Sequence, residues 1–363
     1  MVNQIYPRVE INLQYLKENV KEMVRRCEEK NIEVAGVIKG TTGLVKCAKQ
    51  FEEGGCKMIA SSRLEQIEDA KEAGINLPYM LLRVPMPSEI SEVVRLTDIS
   101  LNSEISVLKA LNREAEKQNK IHQVILMADL GDLREGFWDK NEMVDVAMLV
   151  ESDLRNLELS GVGTNLGCYG SILATQEKLD ELVVIAENIE KKIGRKLQYI
   201  SGGATSSLMR VIDGDIPERI NLLRCGEGIL LARDLELFYG YNMDFMHQDV
   251  YKLKAEVIEV KLKPSHPVGE IAVDAFGHKP EYVDRGMRKR ALLGIGKVDY
   301  GDISEIFPVE EGITVLGASS DHTILDVEDY KYDIKPGDIV TFDINYASMV
   351  YLTNCRNVQI VYV

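Results

Sequence analysis

The chain has 363 residues, 45% of them hydrophobic, and a formal net charge of −15. That is enough apolar material for one large barrel and a smaller domain. The acidic balance argues against nucleic acid or anionic membrane as partners, though it would tolerate a cationic small substrate. Cys27, Cys47, Cys56, Cys168, Cys225 and Cys355 form no CxxC pair and no metal-ligand spacing. No apolar run reaches the roughly 18 residues of a membrane span, and the N-terminus lacks the basic-then-apolar order of a signal peptide. The expectation is a soluble cytoplasmic protein with reduced thiols and no metal.

Up to about residue 230, short apolar segments alternate with amphipathic helical patterns. Strands are predicted at 34–38, 57–60, 78–83, 97–101, 122–129, 158–163, 198–201 and 221–224, with helices between them such as 62–73 and 176–193. Runs of Val, Ile and Leu without polar alternation suit a parallel sheet buried on both faces. Eight βα units predict a TIM-like (β/α)8 barrel, with an open doubly wound sheet as the alternative. After about residue 235 the pattern changes to period-two strands at 251–261, 290–296, 314–317, 323–327, 339–342 and 358–363. Turn signals such as Lys335-Pro336-Gly337-Asp338 separate them. The division expected is a barrel over 1–235 and a mainly β C-terminal domain over 236–363. An opening strand at 8–13 could pair with that domain rather than enter the barrel.

Lys39 ends the first barrel strand, after Val37-Ile38 and before Gly40-Thr41-Thr42-Gly43. Burial lowers a lysine's pKa and frees its amine as a nucleophile for a Schiff base, whereas a solvated strand-end lysine needs no such role. The C-terminal strand ends, where barrel chemistry sits, also carry Ser61 to Arg63, Arg83, Asn102, Asp129, Asn165, Ser201 and Arg224. After the seventh strand, Ser201-Gly202-Gly203-Ala204-Thr205-Ser206-Ser207 offers free N–H groups and hydroxyls ahead of a helix, the makings of a phosphate cradle. The eighth strand ends Arg224-Cys225-Gly226-Glu227-Gly228 and adds backbone donors. A lysine nucleophile, a phosphate cradle and a central arginine together suggest pyridoxal 5'-phosphate.

With these residues in place, the chain resembles the fold-type III pyridoxal-phosphate enzymes of the alanine racemase family, and within it the ornithine racemases. Val37-Ile38-Lys39 stands where that family has its Schiff-base lysine. Asp129-Leu130-Gly131-Asp132-Leu133-Arg134-Glu135-Gly136 matches its Asp, Gly, Arg and Gly at one, three, six and eight. Arg224-Cys225-Gly226 matches the arginine facing the pyridine nitrogen and the phosphate-contacting glycine. Asn165 falls where alanine racemases place a histidine. Ser320-Asp321-His322-Thr323 resembles the Met-Asp-Gln segment that reaches a partner subunit's site. The ornithine-type likeness rests on Leu81-Leu82-Arg83-Val84-Pro85-Met86, on the Asp129 to Gly136 stretch, and on Val273-Asp274-Ala275-Phe276-Gly277. Two departures stand out. Gly43 replaces a phosphate-contacting tyrosine, and Gly296-Lys297-Val298-Asp299-Tyr300 replaces the segment that carries the catalytic tyrosine.

The resemblance implies an amino-acid racemase, acting on ornithine or lysine, working as a homodimer with shared sites. Lys39 would serve one face of Cα. His322, Lys297, Asp321 and Tyr300, in that order, are candidates for the other, His322 leading because imidazole suits proton transfer in both directions. Cofactor contacts would come from Lys39, Asn165, Ser201, Gly202, Gly203, Thr205, Ser206, Arg224, Gly226 and Glu227. Arg134 would orient the substrate carboxylate, and Asp132, Glu135, Asp299 and Tyr300 would line the substrate's place. The alternatives are an alanine racemase, a metal-assisted D-amino-acid aldolase or dehydratase that would use His322 and Cys355, and a non-catalytic cofactor carrier.

Overall fold

The computed structural model describes residues 5–273, 276–277, 279 and 281–363. Asp274 and Ala275, part of the ornithine-type likeness, lie outside the described residues. The chain forms two compact units, Gln14–His247 and Met1–Leu13 with Gln248–Val363.

In the first unit, eight parallel strands close into a barrel: β2 Glu33–Val37, β3 Met58–Ser61, β4 Tyr79–Leu81, β5 Ile99–Asn102, β6 His122–Ala128, β7 Leu157–Thr164, β8 Tyr199–Ser201 and β9 Leu222–Cys225. The expected barrel is therefore present, and the open sheet is not. Its interior is filled by alternate residues, Ala35 and Val37, Met58 and Ala60, Met80, Ile99 and Leu101, Ile125 and Met127, and Leu222. Each large apolar side chain buried there contributes about 1.5–3 kcal/mol. The intervening residues face the helices. There Gly36 leaves room for Phe51, since a Cβ would stand 2.5 Å from its ring.

Closure pairs the first barrel strand with the last, Ala35 opposite Arg224 and Gly36 opposite Cys225. Residues far apart in sequence thus end side by side. Arg224 follows the inward-facing Leu222 by two and shares its direction. The helix Gln176–Ile193 has the predicted bounds. Thr175 caps it by accepting from the Lys178 amide at 3.2 Å, and Gly194, at φ 77°, ends it.

The second unit is a mainly antiparallel sheet. Its strands are β1 Arg8–Ile11, β10 Tyr251–Pro264, β11 Met287–Leu293, β12 Ile306–Pro308, β13 Thr314–Ala318, β14 Thr323–Asp326, β15 Ile339–Ile344 and β16 Gln359–Tyr362. Six run in the order β12-β15-β10-β11-β14-β13. The opening strand β1 belongs here, antiparallel to β10 and parallel to β16. Strand β12 and the helices Lys297–Tyr300 and Tyr346–Thr353 are additions to the predicted elements. Among the described residues no helix is long and apolar enough to cross a membrane.

Candidate active site

Lys39 opens a single helical turn, Lys39–Thr41, directly after β2. The turn closes through the Thr42 amide on the Lys39 carbonyl at 3.1 Å. Gly43 follows at φ +78°, and a Cβ there would lie 2.6 Å from Cβ of Gln66. The departure from tyrosine at this position is therefore built into the backbone. Lys39 is open to solvent yet ringed by protein. That desolvation, with the charges of Arg134 and Arg224, holds its pKa below the ordinary lysine value against the opposing pull of Cys168 and Glu135.

Arg224 is 4% exposed, and its guanidinium is fixed from two strand ends. Nη1 donates to Ser201 Oγ, and Nη2 donates to the Thr164 carbonyl at 2.7 Å. Burial brings its pKa down to about 10, so it stays charged at neutral pH. Ser201 thus spends its hydroxyl on orienting Arg224. Next to Thr164 stands Asn165, whose Nδ2 is buried with no partner among the described residues. An orphaned buried donor costs free energy unless something accepts from it.

The loop after β8 is shaped for an anion. Gly203 has φ +116°, and a Cβ there would stand 2.6 Å from Ser207 Oγ. Ser207 Oγ donates to the Gly202 carbonyl at 2.6 Å, and Ser206 Oγ to the Leu166 carbonyl at 2.9 Å. Thr205 Oγ1 accepts from the Gly228 amide at 3.1 Å, which joins this loop to the one after β9. Among the described residues, the Gly203 and Ala204 amides donate to no protein acceptor. Glu227 turns its carboxyl away from this cradle. Oε1 accepts from the Arg233 and Asp234 amides at 3.0 and 3.1 Å. Burial, and then the Asp234 charge, push its pKa up to about 7.

The Asp129 to Gly136 motif folds as one closed loop. Asp129 Oδ1 accepts from the Gly131 and Leu133 amides at 2.9 and 3.1 Å. Gly136 passes so close that a Cβ would lie 2.5 Å from the Asp129 nitrogen, which explains the motif's second glycine. Lys140 clasps the loop by donating to the Asp129 and Phe137 carbonyls. Asp132 is buried and holds the Gly167 and Tyr169 amides, each at 3.0 Å. Its carboxylate stitches this loop to the one after β7 and is spent on that task, which removes it from the substrate-lining group. Arg134 and Glu135 form a partly exposed ion pair.

The predicted ring of polar strand ends is smaller than expected. Asn102 is fully buried and donates to Ser100, and Ser61 bonds Gln66, so both serve the layer between strands and helices. Arg83 pairs with Glu89 and the Ser62 carbonyl. Cys168, three residues past Asn165 and a reduced thiol in the sequence reading, is exposed on the loop after β7.

In the sheet unit, two turns are locked together. The Lys297 and Val298 amides donate to the Ser319 and Ser320 carbonyls at 3.0 and 3.2 Å. Gly296 makes this possible, since a Cβ would stand 2.1 Å from the Ser320 carbonyl oxygen. The contact gathers Lys297, Asp321 and His322 at one corner, with Asp321 and His322 exposed. Tyr300 and Asp299 are turned inward instead. Tyr300 is fully buried, its hydroxyl donates to Thr323 Oγ1 at 2.8 Å, and burial pushes its pKa up to about 12. Asp299 accepts from the Gly296 amide at 3.0 Å and from Cys355 Sγ at 3.2 Å. Both are bonded into the framework of this unit and are not gathered with Lys297, Asp321 and His322. Among the described residues, no group of three His, Cys, Asp or Glu side chains could hold a metal ion.

The sequence profile of the alanine racemase N-terminal domain matches residues 11–234. The chain is 40% identical to the ornithine racemase of Acetoanaerobium sticklandii, covering 95% of this chain and 96% of that one. It is 39% identical to the lysine racemase of Thermotoga maritima, covering 99% of each. Among solved structures, the alanine racemase of Clostridium difficile 630 aligns with a TM-score of 0.75 at 20% identity, over 99% of this chain and 96% of that chain, a likeness of fold.

Proposed function

The chain belongs to the alanine racemase family and is an amino-acid racemase, and from that premise we propose that it holds pyridoxal 5'-phosphate at Lys39 and interconverts the L and D forms of ornithine or lysine. The observation that carries the cofactor reading is the pairing of β2 with β9. It sets a lysine of lowered pKa beside a fully anchored arginine, next to a loop with unused amides. The full-length likeness to an ornithine racemase and a lysine racemase supports the substrate class.

The residues fit the group. The Gly203 and Ala204 amides, with Thr205, Ser206 and Gly226, would hold its phosphate, where a side chain at 203 would intrude. Arg224 would donate to its ring nitrogen, and the orphaned Asn165 Nδ2 would find its acceptor on the ring's substituents. Glu227 would contribute its backbone alone. When bound, the cofactor draws charge from Cα of an attached amino acid and so acidifies its proton.

Lys39 Nζ serves one face of Cα, taking the proton there for one enantiomer and delivering one there for the other, while the group on the opposite face does the converse. The lowered pKa of Lys39 keeps more of the amine free near neutral pH. Arg224, still protonated, gives no proton to the ring nitrogen and limits how far charge spreads. Return of the proton to Cα is thereby favoured over its transfer elsewhere. Arg134 orients the substrate carboxylate. His322, with Asp321 and Lys297 beside it, serves the other face from the second copy in a homodimer.

Purified protein should be yellow, and Lys39→Ala should lose the visible band. A colourless protein that takes up no cofactor would sink the proposal. Separate incubation with L-ornithine, L-lysine and L-alanine, followed by optical rotation, ranks the substrates. Equal rates on alanine would reject the diamino-acid reading.

A further inference from the structure

The acidic groups at the barrel mouth are not equivalent. Asp129 is committed to the Gly131 and Leu133 amides, Asp132 to Gly167 and Tyr169, and Glu227 to Arg233 and Asp234. Glu135 differs. Both its oxygens rest on the mobile end of one side chain, the guanidinium of Arg134. The pair is only partly buried, with side-chain exposures of 41% for Arg134 and 20% for Glu135, so water can exchange for either partner. Its loop follows β6 at the C-terminal strand ends and is tied to the loop after β7 by Asp132, on the side of the barrel where Lys39 and Arg224 stand.

We propose that Glu135 is the specificity-determining residue that receives the substrate's terminal ammonium. This rests on the diamino-acid reading above. The logic is an exchange of partners. A substrate carboxylate draws Arg134 away from Glu135. That leaves the Glu135 carboxylate without its hydrogen-bonded partner. A substrate ending in an ammonium restores the missing charge, so one internal ion pair is replaced by two external ones. A substrate with an apolar side chain takes Arg134 and gives nothing back, and the site rejects it by leaving Glu135 unpaired. The same pair therefore selects for the two-ended substrate and against the one-ended one.

The test compares L-ornithine with L-2-aminopentanoate, which is ornithine without its terminal amine, in wild type, Glu135→Gln and Glu135→Asp. In Glu135→Gln the ratio of kcat/KM for ornithine over 2-aminopentanoate should fall about 10- to 100-fold. The fall should come from opposite changes, a higher KM for ornithine and a lower KM for 2-aminopentanoate, because Arg134 is then free for any carboxylate. Glu135→Asp, which keeps the charge, should retain part of the preference. Binding can be read independently of turnover from Trp138, the chain's single tryptophan, which is exposed on the segment following Gly136. Titration of the holoenzyme by its fluorescence should show the same loss of ornithine affinity. An unchanged ratio in Glu135→Gln, with the visible cofactor band intact, overturns the assignment. Should that variant lose the cofactor, the wild type still decides. Added salt should raise KM for ornithine more than for 2-aminopentanoate, and an equal rise overturns the proposal. A wild type inactive on both ornithine and lysine would instead overturn the substrate class itself.

Discussion

Two polar clusters at opposite ends of the barrel are used in opposite ways. At the N-terminal end of the strands, Glu190 is buried and fully satisfied. Arg219 and Lys196 pair with it, the first at 2.6 Å and the second at 2.7 Å, and the Leu197 amide donates to it at 3.0 Å. At the C-terminal end, among the described residues, the Asn165 Nδ2 has no hydrogen-bond partner and the Gly203 and Ala204 amides are unused, and Lys39 holds a depressed pKa. The Glu190 cluster spends its polar groups on holding helix, strand and loop together. Asn165 and the 203–204 amides are kept in reserve at a cost in stability, which is reasonable where a ligand will complete them.

Substitutions at the mouth should therefore act on chemistry first. Lys39→Ala has the largest expected effect, loss of the visible cofactor band and a fall in racemisation of about 100- to 10,000-fold or more. Its fold should survive, since the side chain has no structural hydrogen bond among the described residues, and circular dichroism with thermal melting checks this. A Lys39→Ala protein that kept its colour and its rate would dissolve the distinction between the two ends. His322→Gln comes next. It should keep the cofactor band yet slow exchange of the Cα proton with solvent deuterium, measured by NMR, by about 100-fold. Gly203→Ala should weaken cofactor binding, because it forces φ +116° on an alanine and drives its Cβ to 2.6 Å from Ser207 Oγ. The backbone strain is about 1–3 kcal/mol, and free-cofactor titration would read it as a raised Kd.

The fold was largely legible. All eight barrel strands lie where runs such as Val34 to Ile38 predict them, because a parallel sheet buried on both faces leaves an uninterrupted apolar signature. Lys39, Arg224 and the 201–207 loop were legible for a related reason, since strand ends and glycine-hydroxyl clusters are local features. What the sequence hid is the direction of side chains. Tyr300 seemed available as an acid or base, but the turn locked by Gly296 points it into the core. Asp132 seemed a substrate contact, but it is the tie between two loops whose closeness arises only in three dimensions. The sheet strand Ile306–Pro308 was missed because three residues are too few to show a period. The Tyr346–Thr353 helix was missed because its residues lack an amphipathic pattern.

The smallest expected effects test the comparison most directly, since the two ends hold buried glutamates of opposite character. Burial alone would raise the pKa of Glu190, but Arg219, Lys196 and the Leu197 amide overcome it and hold the value at about 2. At Glu227 burial and the Asp234 charge outweigh the Arg233 and Asp234 amides and carry its pKa to about 7. The signs of the resulting pH dependences are opposite. Below the ordinary value of 4.5, the unfolded state binds a proton that folded Glu190 refuses, so its stabilisation is lost as pH falls from about 4.5 toward 2. Between 4.5 and about 7, folded Glu227 keeps a proton the unfolded state has released, so stability falls as pH rises through that window. Glu190→Gln should lower Tm near neutral pH and flatten the acid limb. Glu227→Gln should leave the acid limb alone and flatten the decline between 4.5 and about 7, with any loss of cofactor affinity confined to this second variant. Melting curves across pH for the two proteins decide the matter. Two variants with the same pH profile would mean that the ends of the barrel do not divide stability from function as their hydrogen bonds suggest.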